Sequence, residues 1–144
     1  MSSQANKAII QRLYEEGFNR GNLSVVDELF APDFAYRTPT PTGEQGRDAI
    51  KQGIGLVRSA FPDIHYTIED EVAEGDKVVA YWTAHGTHQA TFLGIPATGK
   101  QVTFSGMILT RIAGNKAVEG WLLIDQMSLL QQIGGFSTAR KAAI

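Results

Sequence analysis

The chain has 144 residues, a formal net charge of -2, 43% hydrophobic and 19% charged residues, and no cysteine. This profile fits one globular domain over residues 1–144. It excludes disulfides, thiolate metal sites and a cysteine nucleophile, and the scattered Lys and Arg form no basic stripe that would suit nucleic acid.

The amino-terminal stretch has no secretory pattern, because Gln4 and Asn6 stand where an apolar core would be needed. No apolar run approaches the ~20 residues needed to span a membrane. A cytoplasmic protein is expected.

The first half of the chain has a helical period. Ile9, Ile10, Leu13, Tyr14 and Phe18 form one stripe at three- and four-residue spacing, ended by Gly17 and the segment 19–22. A short helix over 23–30 is stopped by Ala31-Pro32-Asp33. Residues 34–38 look briefly extended, and 38–43 form a loop stiffened by Pro39 and Pro41. A third helix is expected over 46–60, with Ile50, Ile54 and Val57 on one side, closed by Pro62-Asp63.

The second half reads as strands: 64–73, 77–92, 100–112 and 116–127, with turns at Glu74-Gly75-Asp76 and Ala113-Gly114-Asn115. Residues 129–134 close the sheet region, and a mobile tail follows Gly135. Helices first and then a meander of strands predict an α+β fold, with helices on one face of an antiparallel sheet. Gly86 and Gly106 sit inside long strands. Interior glycines often mark bends, which would curl the sheet around the helices and enclose a cone-shaped pocket.

Several patterns bear on chemistry. Gly94 to Gln101 reads GIPATGKQ, one residue short of a P-loop. A P-loop joins a strand to a helix, whereas here a β pattern follows and Pro96 removes an amide, so a strand connection is the better reading. His85 and His88 would point to opposite faces of a strand, which makes a poor metal site. His88 lines a pocket if the pocket lies at that end; otherwise it is an ordinary strand histidine. No nucleophile elbow surrounds Ser105.

The last strand holds the most informative acid. Alternation places Glu119, Trp121, Leu123, Asp125 and Met127 on one face and Leu122 and Ile124 on the other. Asp125 among these apolar residues has two readings: a hydrogen-bonded structural group, or a desolvated acid/base with a raised pKa.

The runs Gly86-Thr87-His88, Phe92 to Lys100, Trp121-x-x-x-Asp125 and Leu129 to Gly134 resemble the SnoaL-like polyketide cyclases. The earlier segments Phe18 to Asn22, Phe30 to Phe34, Phe61-Pro62-Asp63 and Glu74 to Val78 fit as well. The resemblance implies a curved-sheet cone of the ketosteroid-isomerase-like superfamily and catalysis without cofactor or metal. It implies aldol-type ring closure of an apolar or aromatic carbonyl substrate, with Asp125 as general acid/base. His88 is the candidate second catalytic residue, because the strand over 106–111 lacks the histidine that characterised cyclases carry. Tyr14, Phe18, Phe104, Met107 and Trp121 are the candidate pocket walls. The family also implies a homodimer formed through the outer sheet face, with which Leu122 and Ile124 are compatible. Two alternatives remain: a non-catalytic small-molecule binder, and a hydrolase using two Asp and an Arg, for which Arg58 and Arg111 are available.

Overall fold

The computed structural model describes residues 2–40 and 43–134; the tail expected after Gly135 lies outside the described residues. The order of elements is α1 (Ser3–Arg12), a π-helical turn (Leu13–Phe18), α2 (Ser24–Leu29), β1 (Phe30–Tyr36), α3 (Arg47–Ala60), β2 (His65–Glu74), β3 (Lys77–Thr87), β4 (Gln101–Ala113), β5 (Lys116–Ile124) and α4 (Gln126–Gln132). The five strands form one sheet in the order β1-β5-β4-β3-β2.

The expected α+β architecture is present, with one difference in strand direction. The pairs β2–β3, β3–β4 and β4–β5 are antiparallel, but β1 runs parallel to β5. β1 starts at Phe30, earlier than its prolyl segment suggests. Pro32 is tolerated because β1 is an edge strand, with a register shift between Phe30 and Ala35.

The apolar stripes of the helices do what their spacing predicts. Ile9, Ile10, Leu13 and Tyr14 are buried, as are Ile50, Ile54 and Val57 of α3. They pack against one face of the sheet, formed by Val78, Ala80, Trp82, Ala84, Phe104 and Ile108. Helix and strand faces thus share one core, and burial of this apolar area is the main drive for the fold.

Three register shifts bend the sheet: Phe30/Ala35, Ile68/Asp70 and Arg111/Ile112. None falls at Gly86 or Gly106. Those glycines answer close approach instead. A Cβ at Gly86 would meet Asp63, Ile64 and Phe61 at 3.2 Å, and one at Gly106 would meet Trp82 at 2.5 Å.

On each edge strand a side-chain amide takes up one residue's main-chain groups. Asn19 donates to the Tyr66 carbonyl (3.0 Å) and accepts from the Tyr66 N–H (2.7 Å). Gln45 does the same for Tyr36 on β1, at 2.9 and 3.1 Å. Each amide imitates one rung of a neighbouring strand and so blunts an edge that would otherwise invite pairing.

Two expected strands end early. β3 stops at Thr87, and residues 88–100 form a loop in which Leu93, Gly94 and Gly99 have positive φ of 49°, 82° and 72°. This loop joins two strands, so GIPATGKQ has no helix to receive phosphate. β5 stops at Ile124, and residues 126–132 form α4 rather than more sheet. Asp125 is the reason: its side chain caps the helix by accepting from Ser128 N at 3.1 Å.

Candidate functional site

Asp125 sits where β5 turns into α4. Its main-chain N–H donates to the Ser105 carbonyl at 2.9 Å, which continues the β4–β5 ladder by one rung. The cap occupies Oδ1. Among the described residues, no hydrogen bond or ion pair engages Oδ2. The carboxylate is exposed. Of the two sequence readings, the hydrogen-bonded one describes this environment; the desolvated one does not.

His88 lies elsewhere. It follows β3 and is fully buried, against Phe61 at a ring-centroid distance of 5.5 Å. Thr98 N–H donates to its Nδ1 (3.3 Å), which puts the proton of the neutral ring on Nε2. Thr98 Oγ1 is also 3.0 Å from Nδ1. Nε2 has no partner. Main-chain bonds from His88 N to Lys100 O and from Gly99 N to His88 O, both 2.8 Å, clamp the two ends of the 88–100 loop together. Ser105, beside Asp125, is opposite Thr83. His88 is five residues beyond Thr83, just past the end of β3, roughly 16 Å away at strand spacing. The fold does not bring the two together.

The five expected wall residues divide between the two faces. Tyr14, Phe18 and Phe104 lie on the helix side, where Tyr14 stacks on Phe18 at 4.9 Å. Met107 and Trp121 lie on the outer face, 50% and 37% exposed. Met107 is opposite Tyr81 and Leu123, and Trp121 is opposite Leu109. Conversely, Leu122 and Ile124 pair with Ile108 and Gly106 on the inner side. The sequence reading had these two sets exchanged. Alternation gives two faces but does not say which is inward, and here both are apolar.

Sequence reasoning passed over Tyr66 and Trp82. Both are buried, their rings are 4.9 Å apart, and each touches Tyr14, at 5.3 and 5.9 Å. Burial pushes the Tyr66 and Tyr14 phenols well above their ordinary range, and it pushes Tyr36 up to about 12.

The arginines considered for hydrolysis are engaged. Arg58 donates to the carbonyls of Phe18 and Asn19 at 2.9 Å. Arg111 pairs with Glu119 at 3.1 Å, and Arg37 pairs with the same carboxylate at 2.7 Å. Arg111 and then Arg37 hold the Glu119 carboxyl below its usual range. Among the described residues, no group of three His, Asp or Glu could hold a metal ion, and no helix is long and apolar enough to cross a membrane.

The profile of the SnoaL-like polyketide cyclases matches residues 8–133. The chain belongs to the SnoaL-like polyketide cyclase family. No functionally curated protein matches it significantly. Among solved structures, this SnoaL-like chain is similar to TsrD from Streptomyces laurentii, with 26% identity, a TM-score of 0.85, and coverage of 94% of this chain and 99% of that one. It is similar to IdmH from Streptomyces antibioticus, described as a candidate polyketide cyclase, with 31% identity, a TM-score of 0.79, and coverage of 90% and 98%. It is also similar to AclR from Streptomyces galilaeus, described as a candidate hydroxylase, with 26% identity, a TM-score of 0.83, and coverage of 94% and 100%. The same fold therefore carries proteins described with different chemistries, and the reaction has to be argued from the site.

Proposed function

We propose that this SnoaL-like protein is a cofactor-independent cyclase that closes a ring by intramolecular aldol-type condensation, with Asp125 as general base and then general acid. The observation that supports this reading is the division of labour on the carboxylate. Oδ1 is pinned by the helix cap, so the group is oriented, while Oδ2, which has no partner among the described residues, can meet a substrate proton.

The chemistry closes without any external reagent. Oδ2 takes a proton from a carbon between two carbonyl groups. The resulting enolate carbon attacks a carbonyl elsewhere in the same molecule, forming one C–C bond. The new alkoxide recovers the proton from Asp125, so the net change is isomerisation. Ile124 and Met127 flank Asp125 and are 39% and 59% exposed. They offer apolar surface to the substrate, whose binding displaces water from the carboxylate. His88 is assigned to holding the 88–100 loop, not to proton transfer. The substrate class is a small to medium apolar or aromatic polycarbonyl compound.

Turnover of a panel of linear β-diketones and polyketone esters in chelator-treated buffer tests the reading. Ring-closed product is the expected result, and exclusive release of hydrolysis products would replace cyclisation with hydrolase chemistry. The protein would act in the cytoplasm.

The outer sheet face supports a homodimer. Tyr81, Met107, Leu123 and Trp121 are exposed at 39%, 50%, 73% and 37% and stand side by side in the strand register. A contiguous apolar patch of this kind suits a second copy of the same surface. Leu123→Lys should shift sedimentation from dimer to monomer; a wild-type monomer at tens of micromolar would remove the assembly.

A further inference from the structure

The β2–β3 register sets His65 directly opposite His85, at the end of the ladder where β2 begins. Their neighbours decide which way they point. Tyr66, Ala84 and Gly86 are buried on the inner side, so alternation turns both histidines to the outer face, where both are exposed. The two ring centroids are 5.7 Å apart, with an angle of 34° between the planes. Neither imidazole makes a hydrogen bond among the described residues, so neither is committed to holding the fold.

Directly opposite residues of an antiparallel pair are the closest cross-strand neighbours a sheet offers. A cation about 2.0–2.1 Å from one nitrogen of each ring puts the centres of two tetrahedrally placed imidazoles roughly 5 Å apart. Two exposed side chains close the remaining gap by small rotations, with the backbone unmoved. Local charge favours a cation as well. Asp63, in the turn before β2, accepts from Thr87 N at 2.7 Å and from Thr87 Oγ1 at 2.8 Å. These bonds, and to a lesser degree the His85 ring, hold its carboxyl below the usual range. A fixed negative charge therefore stands within electrostatic reach of the pair.

We propose that His65 and His85 form a surface chelate for one divalent transition-metal ion of the imidazole-preferring kind, Zn²⁺, Ni²⁺ or Cu²⁺, with water in its other positions. Two protein ligands are fewer than the three or four of a resident zinc site, so the ion is exchangeable. That agrees with the lack of any three-ligand group among the described residues. Mg²⁺ and Ca²⁺ require oxygen ligands, and the donor set excludes them. His85 lies two strand spacings and two residues from Asp125, roughly 12 Å, so the chelate takes no part in the proposed proton transfer. Its effect is on the sheet: a bound ion clips the edge strand β2 to β3 and stabilises the folded chain.

Calorimetric titration of the tag-free chain with ZnSO₄, and with MgCl₂ for contrast, tests the assignment. Wild type should take up one Zn²⁺ per chain and no Mg²⁺, and Zn²⁺ should raise its melting temperature. His65→Gln and His85→Gln should each weaken Zn²⁺ binding by about ten-fold or more, because the second bond of a chelate is intramolecular and is lost with either ring. Both variants should melt as wild type does without metal, since both positions are exposed, and neither should gain from Zn²⁺. A wild type that binds no Zn²⁺, or variants that bind it as tightly as wild type, would overturn the chelate. So would one Zn²⁺ per two chains with dimers formed only in its presence, which would replace the chelate by a bridge between copies.

Discussion

Asp125→Asn should fold as the parent does and lose turnover by a factor of roughly 10² to 10⁴, the usual contribution of a positioned acid/base. The carboxylate has two roles in this fold, and asparagine separates them. As the cap of α4, Asp125 accepts from Ser128 N–H. The amide oxygen of asparagine can accept the same bond, and Asn and Asp are equivalent caps. Only the attraction between a carboxylate and the helix start is lost, about 0.3–1 kcal/mol at an exposed end. Proton abstraction by Oδ2 is lost entirely. Asp125→Ala removes both roles and should cost about 1 kcal/mol of stability in addition to activity. Thermal melts and turnover of the two variants, taken together, decide the matter. An Asn variant as active as the parent would reduce Asp125 to a cap. An Asn variant that unfolds would show that the carboxylate charge itself holds the start of α4, so that a folding defect and not lost chemistry explains the loss.

The same residue shows how far the sequence could be read. Its neighbours Trp121 to Met127 look like one continuing strand because, Gln126 apart, they are apolar. The competing signal was local: an Asp followed by the helix-forming run Gln126 to Gln132 is a start signal, and the cap geometry bears it out. The helical stripes were legible because amphipathic period and burial agree at Ile9, Leu13, Ile50 and Ile54. The inward face of β5 was not, since Trp121 and Leu122 are equally apolar and only the register to β4 tells them apart. Nor could local pattern reveal that Asn19 would close the β2 edge from 47 residues away. Tyr66 read as one more strand aromatic. What distinguishes it is its packing against Tyr14, Phe18 and Trp82, and that emerges only when the π-turn and β2 are brought together.

Gly106→Ala should destabilise the protein by roughly 2–3 kcal/mol, the range of an overpacked core site, and lower its melting temperature by about 5–10 °C. The added methyl would meet Trp82 Cζ2 at 2.5 Å, Trp82 Cη2 at 2.9 Å and the Leu123 carbonyl oxygen at 2.6 Å. The backbone here has no positive φ, so the strain is one of space and not of conformation. Trp82 stands opposite Gly106 in the β3–β4 register, and its indole lies across the neighbouring backbone. The glycine is thus set by the indole that backs Tyr14 and Tyr66. A double-mutant cycle with Trp82→Phe isolates that cause. In the Phe background the alanine penalty should shrink, because the six-membered ring of the indole is gone. It should not vanish, because the Leu123 carbonyl remains. An identical penalty in both backgrounds would mean that the sheet backbone, not Trp82, excludes a side chain at position 106.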